Sequence, residues 1–519
     1  MPQWLKQKLH LPREIKNGLP GKWDKPIIFT SHHESHAASA FYPSPFEEAA
    51  ILTMDGVGEW DTATIGIGEG NQINLLKALE FPHSLGLLYS AFTYFCGFKV
   101  NSGEYKLMGL APYGTPIYKD IILDHLLNLK SDGSFEVNLD YFNYCQGLTM
   151  TNQRFGQLFG GGPRKAENEI TEREINLAAS IQAVTEEVVI RMATFAREIT
   201  KKKNLCLSGG VALNCVANGK LQANKIFDNI WIQPASGDSG GALGAALFVN
   251  HKLLNRSRKV NSKDSMKGSY LGPKFKNDEI STFLKKENAP FHFFSEEKKL
   301  LDITSKSIES EKIVGWFQGR MEFGPRSLGH RSILGDARSE NTQTQMNLSI
   351  KYRESFRPFA PSVLEEKSQE YFDLDSPSPY MLLVAPVCKT IRITPSEEDQ
   401  MAQKDPDLLK RVSIKRSSLP AITHVDYSAR IQSVSKDRND RFYQLIKTFE
   451  EKTGLGVIVN TSFNIRGEPI VCTPQDAYRC FMATEMDVLV LENHILYKNE
   501  QPSQNRVSKD SYISQFDLD

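Results

Sequence analysis

The sequence has no net charge and lacks the marks of a secreted or membrane protein. Its 62 Lys and Arg residues balance 62 Asp and Glu residues, so no overall field would draw the chain to nucleic acid or to an anionic membrane. The seven cysteines form no CxxC pair, which argues against a disulfide framework or a cysteine zinc site. No apolar signal core opens the chain, and no segment resembles a membrane span. We expect a soluble cytoplasmic protein.

The sequence also lacks the usual nucleotide-binding fingerprints, because it contains neither a P-loop nor a GxGxxG motif. Two other glycine-rich stretches, LSGGVALN (207–214) and SGDSGGALG (236–244), lie where a strand is expected to give way to a helix. Backbone amides at a helix start can cradle an anion or a nucleotide. These stretches therefore predict an anion or nucleotide site of a less common kind.

Length and hydrophobic patterning predict an α/β chain of at least two domains. The 519 residues are too many for one compact core. PIIFT (26–30) reads as a short buried strand, and residues 49–80 read as a three-strand meander. An amphipathic helix follows over 171–203, and strands and helices alternate after it, which is typical of an α/β fold.

The polar stretch 250–268 has almost no apolar periodicity and predicts a linker. We therefore expect a first domain over residues 1–255 and a second over residues 269–519. In the second domain, residues 388–440 are expected to form long surface loops and the tail, residues 500–519, to be frayed.

Three histidines lie close together in SHHESHAASAF (31–41). Ser31 and Glu34 have the spacing of a capping box, which predicts a helix from His32 to about residue 41. On that helix His32 and His36 share one face and could hold one metal ion. His33 and His36 form a weaker competing pair, and a polar helix start with solvated histidines is the alternative.

Two aspartates have positions that suit a metal site. Asp55 follows a buried strand in TMDGVGEW, and ligands commonly bind at the carboxyl ends of such strands. Asp238 lies at a predicted helix start in PASGDSGGALGAAL. An Asp-Gly turn and a helix N-cap are the alternative explanations. If the aspartates converge with the histidines, the set suits iron(II), zinc or manganese better than magnesium.

A basic region in the second half of the chain predicts a pocket for an oxyanion. Two like charges 4 Å apart repel by about 4 kcal/mol at an effective dielectric constant near 20, so converging cations require an anion. A solvated basic face is the alternative. Farther along, Asn460, Ser462 and Asn464 follow an apolar strand and could bind a ligand or form an ordinary turn. The region has four acids and seven basic residues: Arg320, Arg326, Arg331, Arg338, Lys351, Arg353 and Arg357.

Together these stretches resemble the carbamoyltransferase family that modifies nodulation factors and aminoglycoside antibiotics. The motifs occur in family order over roughly residues 30–490, and they are HHESHAASAFYPSPF, TMDGVGEW, GEYKLMGLAPYG, LSGGVALNCVANGKL, PASGDSGGALGAAL, FGPRSLGHRSIL, FRPFAPS and VNTSFN. The resemblance implies an actin/sugar-kinase/Hsp70-type (ribonuclease H-like) domain followed by a YrdC-like α/β domain.

The resemblance also implies an ATP-dependent O-carbamoyltransferase. Such enzymes make carbamoyl-adenylate from carbamoyl phosphate and ATP, which binds with magnesium, and transfer the carbamoyl group to an acceptor hydroxyl with help from a bound metal, usually iron. The implied metal ligands are His32, His36, Asp55 and Asp238. The implied donor-site residues are Arg326, Lys351, Arg357, Arg430, Asn460 and Ser462. The implied nucleotide contacts in the first domain are Gly209, Gly210, Asn214, Gly240 and Lys106.

The sequence departs from this family before the first histidine pair. Family members usually place another strand meander there, with a Gly-x-His-Asp-like segment, whereas only about 30 residues precede the pair here. We expect either a truncated form or a partner polypeptide that supplies the piece. A tRNA threonylcarbamoyl-transfer protein and an inactive remnant are the alternative functions, and the zero net charge argues against the first of them.

Overall fold

The computed structural model describes residues 9–353 and 356–516. The strands are β1 (Glu48–Gly58), β2 (Asp61–Glu69), β3 (Gln72–Glu80), β4 (Leu127–Leu129), β5 (Phe135–Val137), β6 (Asn204–Ser208), β7 (Asn229–Ile232), β8 (His292–Phe293), β9 (Val314–Phe317), β10 (Arg331–Gly335), β11 (Ala360–Leu364), β12 (Leu383–Pro386), β13 (Ser428–Val434), β14 (Val457–Ser462), β15 (Val488–Leu491) and β16 (His494–Tyr497).

The α-helices alternate with these strands. They are α1 (Leu11–Gly18), α2 (His32–Phe41), α3 (Leu85–Phe95), α4 (Glu104–Leu110), α5 (Lys119–Ile121), α6 (Gln153–Leu158), α7 (Glu172–Thr200), α8 (Cys215–Ala223), α9 (Asp238–Phe248), α10 (Asn277–Lys286), α11 (Glu297–Glu309), α12 (Glu340–Gln345), α13 (Ser368–Tyr371), α14 (Glu397–Ala402), α15 (Leu408–Val412), α16 (Asp440–Thr453), α17 (Pro474–Ala483) and α18 (Lys509–Ile513).

The first sheet has the strand order β3-β2-β1-β6-β7 among the described residues. β1, β2 and β3 form the predicted antiparallel meander, and β6 and β7 run parallel to β1. This order and these directions are those of a ribonuclease H-like sheet, so the fold class predicted for the first domain is confirmed. Because β1 and β6 are adjacent and parallel, their carboxyl ends lie at the same edge of the sheet.

The second sheet is mixed, with the order β12-β13-β11-β14-β10-β9-β15-β16-β8 in the described part of the chain. Helices α11 and α16 pack on it through Leu300, Ile308, Phe442 and Phe449, which are buried with Trp316 of β9. Polar side chains from β13 and β14, including Arg430 and Ser462, line a cavity that residues of the first domain also line. The predicted α/β class is therefore confirmed for the second domain, as expected of a YrdC-like fold.

Two local predictions near the first histidines are wrong. PIIFT pairs with no described strand, and 52% of Ile28 and 57% of Phe29 are exposed. The apolar pattern thus lacks the neighbouring strand that would bury it. Ser31 does precede helix α2, but its hydroxyl donates to the Glu34 carboxylate at 2.9 Å and makes no cap to the backbone. Helix α2 itself begins and ends as predicted.

The segment predicted as a linker is packed against the first domain. The Arg258 guanidinium donates to the carbonyl oxygens of Phe41, Tyr42, Ser44 and Phe46 at 2.7–2.9 Å. It also lies 4.3 Å from the centre of the Phe41 ring. The polar composition of this segment therefore reflects hydrogen bonding to loop carbonyls, and the domain limits 1–255 and 269–519 stay a prediction.

Two other segments are more ordered than expected. Residues 388–440 were expected to be surface loops, yet they contain β13, which is buried between β12 and β11. The tail, expected to be frayed, forms α18 and buries Tyr512 completely. Residues 517–519 of the tail lie outside the described residues. In both cases long-range packing stabilises segments whose local pattern is weak.

Candidate functional site: a histidine–aspartate cluster and a basic cavity

Four side chains meet at the shared edge of β1 and β6. His32 and His36 lie one turn apart on α2, and their Nε2 atoms are 3.0 Å from each other. These nitrogens lie 2.8 and 2.9 Å from Asp55 Oδ2. They lie 3.6 and 3.8 Å from Asp238 Oδ1 at the start of α9. One ligand atom from each residue thus falls within 4.8 Å of every other.

Backbone amides orient Asp55 toward the histidines. Its Oδ1 accepts hydrogen bonds from the N–H groups of Gly56 at 2.8 Å and Gly210 at 3.1 Å. Its Oδ2 is left for His32 and His36. Burial acts to raise the pKa of Asp55, but the hydrogen bonds from the two histidines outweigh it and hold that pKa well below its usual range. The hydrogen bond to Asp55 in turn raises the pKa of His32.

This arrangement fits a divalent metal ion. Ligands about 2.1 Å from one ion lie about 3.0 Å apart in octahedral and about 3.4 Å apart in tetrahedral coordination, close to the separations of 2.8–3.0 Å among the two imidazoles and Asp55. Two imidazole nitrogens and two carboxylates suit iron, zinc or manganese. Asp238 lies on the solvent-facing side of the cluster, since 82% of its side chain is exposed.

His33 belongs to the core and not to the cluster. It is 1% exposed, and its two ring nitrogens lie 2.6 Å from Thr53 Oγ1 and 2.9 Å from the Asp61 carbonyl oxygen. Burial, with His36 nearby, lowers the pKa of His33 to about 4. The competing pair of His33 with His36 is therefore wrong, because both nitrogens of His33 are already bound within the protein.

The glycine-rich stretches lie beside this cluster. Gly209 has φ +92°, and a Cβ there would lie 2.1 Å from the Met54 carbonyl oxygen. Gly210 binds Asp55, as described, and Asn214 caps α8 through the Ala217 N–H. Gly240 packs against the Ala235 carbonyl. The structure thus gives each of these residues a local role near the cluster, and their contact with a nucleotide stays a prediction.

A cavity of about 480 Å³ lies between the two domains. The first domain contributes residues of α4 and of the start of α8, including Tyr105, Met108 and Cys215. The second domain contributes the predicted donor-site residues, and five of the six line the cavity: Arg326, Lys351, Arg357, Arg430 and Ser462. Residues separated by more than 100 positions in the sequence therefore meet on one wall.

The cavity is strongly basic. Six Arg or Lys side chains line it against one acidic side chain, Glu468, among the described residues. The guanidinium groups of Arg326 and Arg430 have no hydrogen-bond or ion-pair partner in the described part of the chain, and the Nε atoms of both are buried. Burial, followed by the charge of Arg430, lowers the pKa of Arg326 to about 9. Such a cavity favours a multiply charged anion.

Lys351 is held in place by the VNTSFN segment. Its Nζ donates to the backbone carbonyl and the hydroxyl of Ser462, and it reaches the carbonyl and Oδ1 of Asn464 at 2.9 and 2.8 Å. Burial, followed by the charge of Arg353, lowers the pKa of Lys351 well below its usual range. Ser462 and Asn464 therefore bind the Lys351 ammonium group and hold it in position, so they do more than form an ordinary turn.

Two predicted residues lie behind the walls. Asn460 is fully buried, and its amide donates to Ser362 Oγ at 3.0 Å and Gln432 Oε1 at 2.9 Å. Its Oδ1 has no partner within the described residues. Lys106 is also fully buried, and its Nζ lies 5.8 Å from the Phe98 ring centre. Neither side chain lines the cavity, so a direct ligand contact stays a prediction for both.

The basic region of the sequence separates into two groups. Arg326, Lys351, Arg353 and Arg357 line the cavity. The other three lie elsewhere: Arg320 donates to the Gly272 carbonyl, Arg331 donates to carbonyl oxygens and lies over a phenyl ring, and Arg338 pairs with Asp336. Arg466 and His424 also line the cavity, although neither was among the predicted site residues. His424 precedes Arg430 by six residues in THVDYSAR, and this proximity to a predicted site residue is the sequence feature that could have identified it.

Comparison with known proteins gives matches over both halves of the chain. A family model described as the N-terminus of carbamoyltransferases matches residues 3–247, and one described as their C-terminus matches residues 305–498. An uncharacterised protein, sll1178, of Synechocystis is 56% identical over all of this chain and 85% of its own length. Nodulation protein NolO of Bradyrhizobium diazoefficiens is 34% identical over 90% of this chain and 79% of its own.

Two further similarities are more partial. Nodulation protein NolNO of Sinorhizobium fredii is 36% identical over 91% of this chain but 64% of its own length. The crystal structure of HypF from T. kodakarensis is 14% identical, with a TM-score of 0.25, and the match covers 48% of this chain and 39% of HypF. That likeness is too slight to support an argument about fold or function.

No helix in the described part of the chain combines the length and apolar character needed to cross a membrane. The two family models together cover most of the sequence, and the match to NolO extends over most of both proteins. The chain therefore belongs to the carbamoyltransferase family and is a transferase that moves carbamoyl groups.

Proposed function

We propose that this transferase activates carbamoyl phosphate with ATP in the basic cavity and transfers the carbamoyl group to an acceptor hydroxyl at the histidine–aspartate cluster. In the activation, water displaces phosphate from carbamoyl phosphate and leaves carbamate. A carbamate oxygen then attacks the α-phosphorus of ATP, pyrophosphate leaves, and carbamoyl-adenylate is formed. The acceptor we propose is a hydroxyl of a sugar-like or other small natural product, as the family resemblance implies.

The observation that carries this proposal is the convergence of unpaired cations on one cavity. Arg326 and Arg430 have no partner among the described residues, and Lys351 lies on the same wall. Carbamoyl phosphate and the triphosphate of ATP together bring the negative charge that such a wall lacks. Cations held in place before the reaction also stabilise the charge that builds up on the departing phosphates.

The two sites are joined by one short segment. Gly210 binds Asp55 at the cluster, and Cys215 and residue 216 line the cavity. Only residues 211–214 lie between them, and most of these belong to the 3₁₀ turn Gly210–Leu213. This closeness supports transfer of a hydrolysable intermediate from one site to the other with little exposure to water.

The residues of the cluster would hold the metal, and the acceptor would bind beside them. His32, His36, Asp55 and Asp238 supply a ligand set suited to iron(II). When bound, the metal supplies Lewis-acid stabilisation of developing negative charge. Asp238 lies on the exposed side, so we expect the acceptor hydroxyl to approach from there. Ser208 Oγ, 3.3 Å from His36 Nδ1, would keep that imidazole oriented.

The match of family models to both domains favours this function over tRNA threonylcarbamoyl transfer, the alternative considered from the sequence. The zero net charge points the same way. We also propose that the protein acts in the cytoplasm, where ATP and carbamoyl phosphate are available.

The experiment is acceptor-independent pyrophosphate release from ATP by metal-loaded protein. We expect release that depends on carbamoyl phosphate and falls at least 100-fold in Arg430→Met. Arg320→Met is the matched control and should retain wild-type release, because Arg320 is outside the cavity and donates only to the Gly272 carbonyl. Absence of carbamoyl-phosphate-dependent release from the wild type would contradict the proposal.

A further inference from the structure

Several buried polar atoms of the cavity wall have no hydrogen-bond partner among the described residues, including Ser102 Oγ, Ser327 Oγ and a ring nitrogen of His424. His424 is 4% exposed and lines the cavity. Its ring lies edge-on to Tyr113 of the first domain, with 5.4 Å between ring centres. Its Nε2 is buried and has no hydrogen-bond partner among the described residues. A buried polar atom without a partner is costly unless a ligand supplies one.

The surroundings of His424 determine what this nitrogen can do. Nδ1 lies 3.7 Å from Asp426 Oδ1. Asp426 is itself fixed, because the same oxygen accepts from the N–H and hydroxyl of Ser428 at 3.1 and 2.6 Å. A carboxylate on this side favours the tautomer that carries its proton on Nδ1. In that tautomer Nε2 is a hydrogen-bond acceptor.

Few side chains on the cavity wall act only as acceptors, because the hydroxyls there, including those of Ser102 and Ser327, can donate to phosphate oxygens as well as accept. The six Arg and Lys side chains are donors only. The single acidic side chain among the described wall residues, Glu468, already accepts from the Ile465 N–H and the Tyr512 hydroxyl. Donors suit the phosphate oxygens and the carbonyl oxygen of carbamoyl phosphate. Its amino group is a donor and requires an acceptor instead.

We propose that His424 selects the carbamoyl donor by accepting a hydrogen bond from its amino group through Nε2. This inference rests on the proposed function, and it adds the residue that separates carbamoyl phosphate from other acyl phosphates. Acetyl phosphate has the same charge and nearly the same shape, with a methyl group in place of the amino group. It would leave Nε2 buried without a partner, and a site built for a hydrogen bond rejects such an analogue.

The test compares the two donors in wild type, His424→Leu and His424→Gln. The readouts are kcat/KM for acceptor-independent pyrophosphate release and the Kd of each donor by calorimetry. We expect His424→Leu to lower kcat/KM and affinity for carbamoyl phosphate by roughly 10- to 100-fold, with little change for acetyl phosphate. His424→Gln keeps a side-chain acceptor and should recover part of the preference.

His494→Gln is the matched control. His494 is also buried, but it lies outside the cavity, and its Nε2 is 2.7 Å from Ser281 Oγ. We expect this variant to keep the wild-type ratio between the two donors. If His424→Leu weakens both donors equally, or neither, the inference is wrong. If the wild type releases no pyrophosphate with carbamoyl phosphate, the proposed function fails, and the ratio of the two Kd values still decides the role of His424.

Discussion

Replacing Arg326 with methionine should make the protein more stable while abolishing donor activation. The pKa of Arg326 falls from its usual range to about 9, chiefly through burial and then through the charge of Arg430. At about 1.4 kcal/mol per pKa unit this corresponds to about 5 kcal/mol of unfavourable charging in the fold. Because part of the side chain faces the open cavity, solvent screens the charge. We therefore expect a gain of about 2 kcal/mol in the free energy of unfolding.

The sign of the pH dependence follows from the direction of this pKa. A cation whose pKa is lowered by folding destabilises the fold fully at pH values below about 9. The penalty is relieved as the pH rises from about 9 toward the ordinary pKa of an arginine in the unfolded chain. The gain from Arg326→Met should therefore be complete at pH 7 and should shrink above pH 9. Urea denaturation of the wild type and the variant, at pH 7 and above pH 9, measures this gain in the free energy of unfolding.

Arg331→Met is the control with the opposite expectation. Burial also lowers the pKa of Arg331 to about 10, but its guanidinium donates to the carbonyl oxygens of Gln318 and His330 and lies 3.5 Å from the Phe317 ring centre. Removing it leaves buried acceptors unpaired, so we expect a loss of about 2 kcal/mol.

Inorganic pyrophosphate provides a second readout for the same variants. It should raise the urea midpoint of the wild type and have little effect on Arg326→Met, because ligand binding stabilises only a fold that binds it. Two results would refute the reasoning: Arg326→Met no more stable than the wild type at pH 7, or a pyrophosphate-induced rise in its urea midpoint equal to that of the wild type.

Three further predictions concern the first domain. His36→Ala should lose bound iron or zinc, measured by elemental analysis, whereas His33→Asn should keep the metal and lose about 1–3 kcal/mol of stability; loss of metal from both variants would contradict the assignment. Gly209→Ala should be poorly soluble or strongly destabilised, because its φ is +92° and the new Cβ would lie 2.1 Å from the Met54 carbonyl oxygen; an unchanged thermal midpoint would show otherwise. Arg258→Ala should lower the urea midpoint by the equivalent of about 3 kcal/mol, because several carbonyls lose their donor; wild-type stability would mean that the segment is a free linker.

Local sequence patterns predicted several helices and strands correctly, because the period that marks each element is set by residues that are neighbours in the sequence. The 3.6-residue period predicted α7, and the alternation and apolar runs predicted β1, β2 and β3. PIIFT was misassigned by the same rule, since a strand requires a partner strand that the local pattern does not reveal. The polar segment around Arg258 was misassigned because a hydrogen-bonded loop and a solvated linker have the same composition.

The sequence by itself determined which residues could act: the helical spacing put His32 and His36 on one face, and the ordered motifs identified the family. Only the tertiary structure decided which of them meet. It brought Asp55 within 3.1 Å of Gly210 across 155 positions, gathered four of the seven cations of the basic region on one cavity, and left Arg331 in the core. The physical reason is that charge and spacing are local properties, whereas convergence depends on strand order and on the packing of one domain against the other.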